Sequence, residues 1–342
     1  MCVLAAYLGP EPAAPILLDM LARIEGLGGG YYTGVATVSD GTLHYEKIVG
    51  DVAALRTQTG AASLPGNIGI AHSRTPSGGG REWGHPFIGN AGNFAYVANG
   101  AMGKFDGETD FTAAGNKLLA RDYTFRSAVP EAVGKYPMLS DNNSVHFSEI
   151  MCLLIEDALQ RQGDLVEAAR LVFDEWPSEI VALCLQAESE DHFVAARLNQ
   201  PLVIGRSHEA VYAATTSLAF PAGTVWQMPM PPNTAAAISH ENVDLYPFSP
   251  TAKPVADFPA TNDVMNTLLP ALWEGPQSIG GLCKLTETLW PEGLVAQPAM
   301  LVYQFVAGLV ASGQAELVTE TVPGMFDQGT APRTKVQWIQ AQ

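Results

Sequence analysis

Met1-Cys2-Val3-Leu4-Ala5-Ala6-Tyr7-Leu8 begins the sequence, and the fold hangs on how these residues are read. Residues 2–8 carry no charge, no glycine and no proline, the pattern of a short strand buried on both faces. A cysteine therefore stands at the head of a buried strand. Removal of Met1 would leave that cysteine with a thiol and a free α-amine on one residue. An α-amine titrates near about 7.7–8.0, so at neutral pH part of it is uncharged and able to take the thiol proton. The thiol is in turn the most nucleophilic side chain used in covalent catalysis. A cysteine in second place also fits an incidental residue, and this stretch alone does not choose.

Working outward, residues 13–25 have helical spacing after two prolines, and a glycine-rich stretch at 26–30 closes that helix. Strand patterns recur at 32–38, 43–49, 68–72 and 94–98, the first two joined by the turn Ser39-Asp40-Gly41. A helix over 112–121 leads to an irregular region, 127–145. Helices over 147–162 and 164–176 precede strands at 180–186, 193–198, 202–205 and 210–215, with short strands and turns over 224–248. Strands, then helices, then strands predict an α+β chain with sheet layers covered by helices. Four prolines within 247–259 mark a linker. Beyond it, helices over 262–273, 279–289 and 297–312 and a hairpin of 317–321 with 334–339 suit a small helical, winged-helix-like domain. Seven acids against Lys284, Arg333 and Lys335 in 263–342 favour protein docking over DNA for that module.

Composition narrows the function classes. The 342 residues suggest one large unit and one small. Thirty-five acidic against 18 basic residues give a formal charge of −17, which disfavours nucleic acid and anionic membrane surfaces. Cys2, Cys152, Cys184 and Cys283 show neither CxxC spacing nor a histidine partner pattern, so neither a zinc site nor a disulfide framework is indicated. No basic region precedes an apolar run, and no apolar stretch approaches the roughly 18 residues of a membrane span. The expectation is a soluble, cytoplasmic protein with no membrane partner.

Two further motifs carry chemistry. Gly69-Ile-Ala-His72-Ser-Arg74-Thr-Pro-Ser77-Gly-Gly-Gly80 sets one arginine where an apolar strand enters a glycine-rich loop, a rigid fork suited to a substrate carboxylate. Tyr96-Val-Ala-Asn99-Gly100 ends a strand in Asn-Gly, where a side-chain amide and the next backbone N–H can converge on an oxyanion. Taken singly, Asn-Gly is as well read as a hairpin turn and Arg74 as a surface residue.

In this order, the Met-Cys strand, His72-Ser-Arg74, His85-Pro86 and Asn99-Gly100 resemble the class II glutamine amidotransferases, whose glutaminase domains are N-terminal-nucleophile hydrolases. The match is most similar to the glutaminase domain of glucosamine-6-phosphate synthase. Ala120-Arg-Asp-Tyr-Thr-Phe125 and Ala195-Ala-Arg197 through Pro201-Leu-Val-Ile-Gly205 extend it to about Tyr246. The resemblance implies a four-layer α/β/β/α sandwich over 1–248, followed by the proline-rich linker 249–261 and the small domain 262–342. It implies a reaction without metal or cofactor, in which Cys2 attacks the side-chain amide of glutamine, its α-amine is the base, and a γ-glutamyl thioester forms as ammonia leaves. Asn99 and the N–H of Gly100 would stabilise the oxyanion. Arg74 and Ser77 would hold the substrate, and His85 has a supporting place. A closing loop is expected, with 78–80 as candidate. In the family ammonia passes to a synthase, here a separate partner; a homo-oligomer stays open.

The departures bear on substrate. In the family an acid just before a Thr-Glu pair that opens a helix binds the substrate α-amine. Ser148-Glu149 matches the pair, but His146 and Phe147 precede it. Residues 127–145 read as an insertion, and Asp141 within it is the candidate replacement. Losing one charged contact costs on the order of 1.5–3 kcal/mol. Thr75 stands for a tryptophan, a glycine for the loop histidine, and Val3 for a glycine. The leading expectation is thus an N-terminal-cysteine amidohydrolase acting on glutamine or a related γ-glutamyl amide. A non-catalytic regulatory or scaffolding descendant, and a Cys-type acylase of another amide, are the alternatives.

Overall fold

Strand β1 (Val3–Leu8) is buried along its whole length because it is paired on both edges, antiparallel to β4 (Ile68–Arg74) and to β10 (Val211–Ala214). The computed structural model describes residues 2–76, 78–101, 105, 107–249, 252–324 and 329–339. Around β1 runs a seven-stranded antiparallel sheet in the order β11 (Trp226–Pro229), β9 (Val203–Arg206), β10, β1, β4, β2 (Tyr32–Ser39) and β3 (Thr42–Val49). A second antiparallel sheet has the order β13 (Val243–Pro247), β12 (Thr234–Ser239), β8 (His192–Arg197), β7 (Glu179–Gln186), β6 (Phe94–Ala101) and β5 (Phe87–Ile88).

The period of two along each strand sorts side chains into layers. Leu4, Ala6, Ile68 and Ile70 of the first sheet meet Val97, Leu183 and Ala195 of the second in the inter-sheet core. Val3, Ala5 and Tyr7 point the other way, into the cluster that holds α1 (Ala13–Ile24). Phe94, Tyr96 and Ala98 likewise face outward, towards α3 (Phe111–Leu119), α4 (Phe147–Gln162) and α5 (Leu165–Glu175). The result is the α/β/β/α sandwich. Helix α4 starts where the His146 side chain accepts the Ser148 N–H at 3.1 Å and stops at Gly163, whose φ of 74° is left-handed. A further helix, α2 (Val52–Gln58), is absent from the sequence reading: seven residues give too little periodicity, although Asp51 caps it by accepting the Ala54 N–H at 2.8 Å.

After the second sheet come α6 (Thr261–Glu274), α7 (Ile279–Leu285), α8 (Pro298–Ala311) and a hairpin of β14 (Ala315–Pro323) and β15 (Thr330–Trp338). Gln277, between the first two helices, bridges to Val336 of the hairpin. This unit is no free lobe. Leu268, Leu272, Val302 and Val306 belong to the same apolar cluster as Leu17 and Leu21 of α1. The turn Ser217–Ala219 packs on both α1 and α8, and β15 packs on Glu25–Leu27. The connecting stretch is also fixed: the Ala256 N–H donates to the Val295 carbonyl at 2.9 Å. Arg197, 1% exposed, donates to the carbonyls of Asn199, Gln200 and Met230 and to Oε1 of Gln297, while Gln297 Nε2 donates to the Ala256 carbonyl. Burial without a carboxylate partner pushes the Arg197 pKa down to about 9. Among the described residues no helix is long and apolar enough to cross a membrane.

Candidate active site

The alternation that builds the inter-sheet core continues past its apolar filling. Counting back from Leu4 gives Cys2, and counting on from Ile68 and Ile70 gives His72 and Arg74. Counting on from Val97 gives Asn99. Pairing of Val3 with Ser73 and of Leu4 with His72 sets the head of β1 beside the end of β4. Four polar side chains therefore gather where the two sheets part, and two of them, Cys2 and Arg74, line a cavity of about 470 Å³. That volume lies in the range of small-molecule sites.

Cys2 is half-buried and its Sγ lies 3.6 Å from Thr75 Oγ1. Burial pushes the thiol up, but the adjacent His72 imidazole, then the positive charge of the N-terminus and the Thr75 backbone N–H, pull harder the other way and leave it at about 6. His72 is fully buried, with Nε2 2.9 Å from Asn99 Oδ1. Asn99 Nδ2 donates to Thr215 Oγ1 at 3.1 Å, and the same oxygen accepts the Leu4 N–H at 3.0 Å. The Asn99 oxygen is thus the acceptor of the His72 pair, which puts an imidazole proton on Nε2. Threading through Thr215, this chain of contacts ties the nucleophile strand to β6.

Asn99-Gly100 is not a hairpin turn. Strand β6 runs through it, pairing Asn99 with Val181 and Gly100 with Ile180. Gly100 has φ +123°, and a Cβ there would sit 2.0 Å from the Glu179 carbonyl oxygen, so glycine is required. Gly100 lines the cavity, whereas the Asn99 carboxamide is engaged with His72 and Thr215. Arg74, 2% exposed, also lines it and is no surface residue. Its guanidinium donates to the Trp83 carbonyl at 2.7 Å and to Tyr136 Oη at 2.8 Å, and stacks on Tyr32.

His85 is on the cavity wall, its ring centroid 4.0 Å from that of His72. Ser77 lies outside the described residues, as does Met1. Asp141 is not brought to the cavity. It is exposed and closes its own turn, accepting the Asn143 backbone N–H at 3.1 Å and its side-chain amide at 2.9 Å. The expectation that it replaces the missing acid is corrected accordingly.

Residues that sequence reasoning missed come chiefly from the irregular segment 127–145. Its neck is closed by mutual hydrogen bonds of Val129 and Ser144, and buried Glu149 holds its start through Arg126 N, Ser127 N and Ser127 Oγ. Lys135, Tyr136 and Pro137 are thereby laid on the cavity wall with Phe111, His146 and Phe147. Ser148 N donates to His146 Nδ1, so the imidazole proton is on Nε2, which is buried and has no partner. An unpaired buried donor costs roughly 1–3 kcal/mol. Among the described residues no group of histidine, cysteine and carboxylate side chains could hold a metal ion.

No protein-family model matches the chain. Among curated proteins it is 29% identical over 216 residues to the glutamine–fructose-6-phosphate aminotransferase (isomerizing) of Corynebacterium efficiens, a match covering 60% of this chain and 31% of that one. It is 27% identical over 226 residues to the enzyme of the same name from Pyrococcus horikoshii, covering 66% and 34%. The chain is similar to these glutamine-dependent enzymes in sequence. The amidotransferase fold is found again in the glutamine phosphoribosylpyrophosphate amidotransferase of B. subtilis, with a TM-score of 0.57, 19% identity, and coverage of 75% of this chain and 50% of that one. The chain spans about a third of the length of the curated amidotransferase relatives it matches.

Proposed function

We propose that this chain is an N-terminal-cysteine amidohydrolase that releases ammonia from glutamine or a related γ-glutamyl amide through a thioester. One observation carries the reading: Cys2, with its thiol held at about 6, heads the central strand at a cavity that Arg74 and Gly100 also line. The thiolate adds to the amide carbonyl carbon. The developing oxyanion is met by the N–H of Gly100 and by the Asn99 N–H that Thr215 does not take. Collapse breaks the C–N bond, and the nitrogen leaves as ammonia with a proton from the general base. That base is the α-amine exposed when Met1 is removed. Water then cleaves the thioester to the carboxylic acid and the thiol. Arg74 anchors the substrate carboxylate, and His72 positions and acidifies the thiol.

The names of the curated relatives join glutamine to fructose 6-phosphate as the other substrate. On that ground the ammonia is proposed to pass to an acceptor enzyme. The test is intact mass before and after exposure to a glutamine-like diazo-ketone, with Cys2→Ala as control. Loss of Met1 and a single adduct that Cys2→Ala abolishes are expected. A retained Met1 with no adduct would sink the catalytic reading.

A further inference from the structure

Thr75 meets the sulfur of Cys2 twice. Its Oγ1 lies 3.6 Å from Sγ, and its backbone N–H bonds the same atom. The position follows from the strand register. Val3 pairs with Ser73, so the residue ahead of Val3 falls at the end of β4, and Thr75 is the first residue past that strand. Pro76 comes next and disfavours helical backbone at Thr75. Branching at Cβ leaves the side chain few rotamers, which makes its hydroxyl a stiff donor. Thr75 is half-buried and lines the same cavity as Cys2 and Arg74. While the sulfur is a thiol, either atom of the pair can donate. A sulfur that attacks has lost its proton and can only accept, so in the reacting state the donor is the hydroxyl.

Resting on the amidohydrolase reading, we infer that Thr75 is a catalytic residue whose hydroxyl donates to Cys2 Sγ whenever that sulfur is a thiolate, once before attack and once as the thioester is cleaved. Before attack the bond holds the sulfur in place and spreads its charge. On attack the sulfur electron pair forms the C–S bond, the charge passes to the carbonyl oxygen, and the hydroxyl is released. When water cleaves the thioester, the C–S bond breaks and the electron pair returns to the sulfur. The hydroxyl then donates to it again, until the base returns the proton taken from water. Thr75 keeps its own proton throughout. A donor of this kind lowers the thiol pKa and also lowers the intrinsic nucleophilicity of the thiolate, with a Brønsted slope of about 0.4–0.5. Its removal therefore acts in opposite directions at low and at high pH, which loss of packing does not.

The test is the pH profile of Cys2 alkylation by iodoacetamide, read from the mass of the Cys2 peptide, in the full chain and in Thr75→Val and Thr75→Ser. Valine keeps the shape of threonine without the hydroxyl, and serine keeps the hydroxyl. In Thr75→Val the midpoint is expected to rise by about one pH unit, with alkylation about threefold slower at pH 5 and about threefold faster at pH 9. Thr75→Ser is expected to keep the wild-type profile. Cys152 and Cys184 are fully buried, so their staying unreacted checks that each variant is folded. A Thr75→Val profile that coincides with wild type, or differs from it by one factor at every pH, overturns the inference, as does a Thr75→Ser profile that follows valine. Amine release from L-glutamine and L-γ-glutamylmethylamide is measured on the same wild-type preparation, with Cys2→Ala as control. Release with an unmoved midpoint overturns the role of Thr75 alone. No Cys2-dependent release from either amide overturns the amidohydrolase reading and the place of Thr75 in it, whatever the alkylation profile.

Discussion

At the residue scale, two buried groups set measurable pH dependences. With its thiol at about 6, Cys2 is mostly thiolate at neutral pH, and its rate of alkylation by iodoacetamide should rise with pH and level off above about 7. His72→Asn removes the largest influence that opposes burial. The thiol should then titrate above its ordinary value of about 8.5, and alkylation at pH 7 should slow by tenfold or more. An unchanged profile would show that His72 does not acidify Cys2. Glu25 behaves in the opposite sense. It is 8% exposed, and burial pushes its carboxyl up to about 7, although Oε2 accepts the Val52 N–H at 2.9 Å. Its folded pKa is raised, so its contribution is whole below about 4.5 and is lost as pH rises towards 7. Glu25→Gln should therefore stabilise the protein by about 1–3 kcal/mol at pH 8 and hardly at all at pH 4. Urea unfolding at the two pH values checks it.

At the element scale, β1, β4 and β6 were legible in the sequence because two-residue alternation and unbroken apolar runs need no tertiary knowledge. The same alternation, carried two or four residues past the core, puts Cys2, Arg74 and Asn99 at one seam. What the sequence could not separate was Asn-Gly as a turn from Asn-Gly in a strand, since the deciding fact is a neighbour, the Glu179 carbonyl, some eighty residues away. Gly100→Ala drives a Cβ into that carbonyl. It should cost on the order of 3 kcal/mol or more, seen as a lower thermal midpoint even with Cys2 intact. The segment 127–145 was illegible for another reason. It has no period to read, and its placement depends on the buried carboxylate of Glu149 and the Val129–Ser144 neck. Asp141 attracted attention by its charge, while Tyr136 and His146, which line the cavity, carry no formal charge to draw notice.

At the scale of the whole molecule, the C-terminal helices and hairpin were read as three helices and a hairpin, as the structure has them, but the core they share with α1 was not read. Residue patterns within α8 show only that it is apolar nearly all round, and what covers it is decided by α7, β14 and the Ser217–Ala219 turn. A chain cut after residue 249 would take Leu268, Leu272, Val302, Val306 and their neighbours out of the cluster that holds Leu17 and Leu21. At roughly 1.5–3 kcal/mol for each large apolar side chain, the loss rivals the whole stability of a typical domain. The truncated chain should fail to give a cooperative thermal transition, and a soluble, cooperatively folding product would contradict the shared core.

The proposed nucleophile and the proposed oxyanion donor stand on different sheets. Cys2 leads into the first and Gly100 belongs to the second, and between those sheets lies apolar filling such as Leu4, Ile70 and Val97. In the proposed reaction, the gap across which the bond is made is therefore a spacing set by the volume of side chains lying between the sheets. Hydrostatic pressure, which squeezes voids before it bends strands, acts on that spacing directly. The sandwich works as a caliper whose jaws are the two sheets and whose setting is the bulk of its hydrocarbon core.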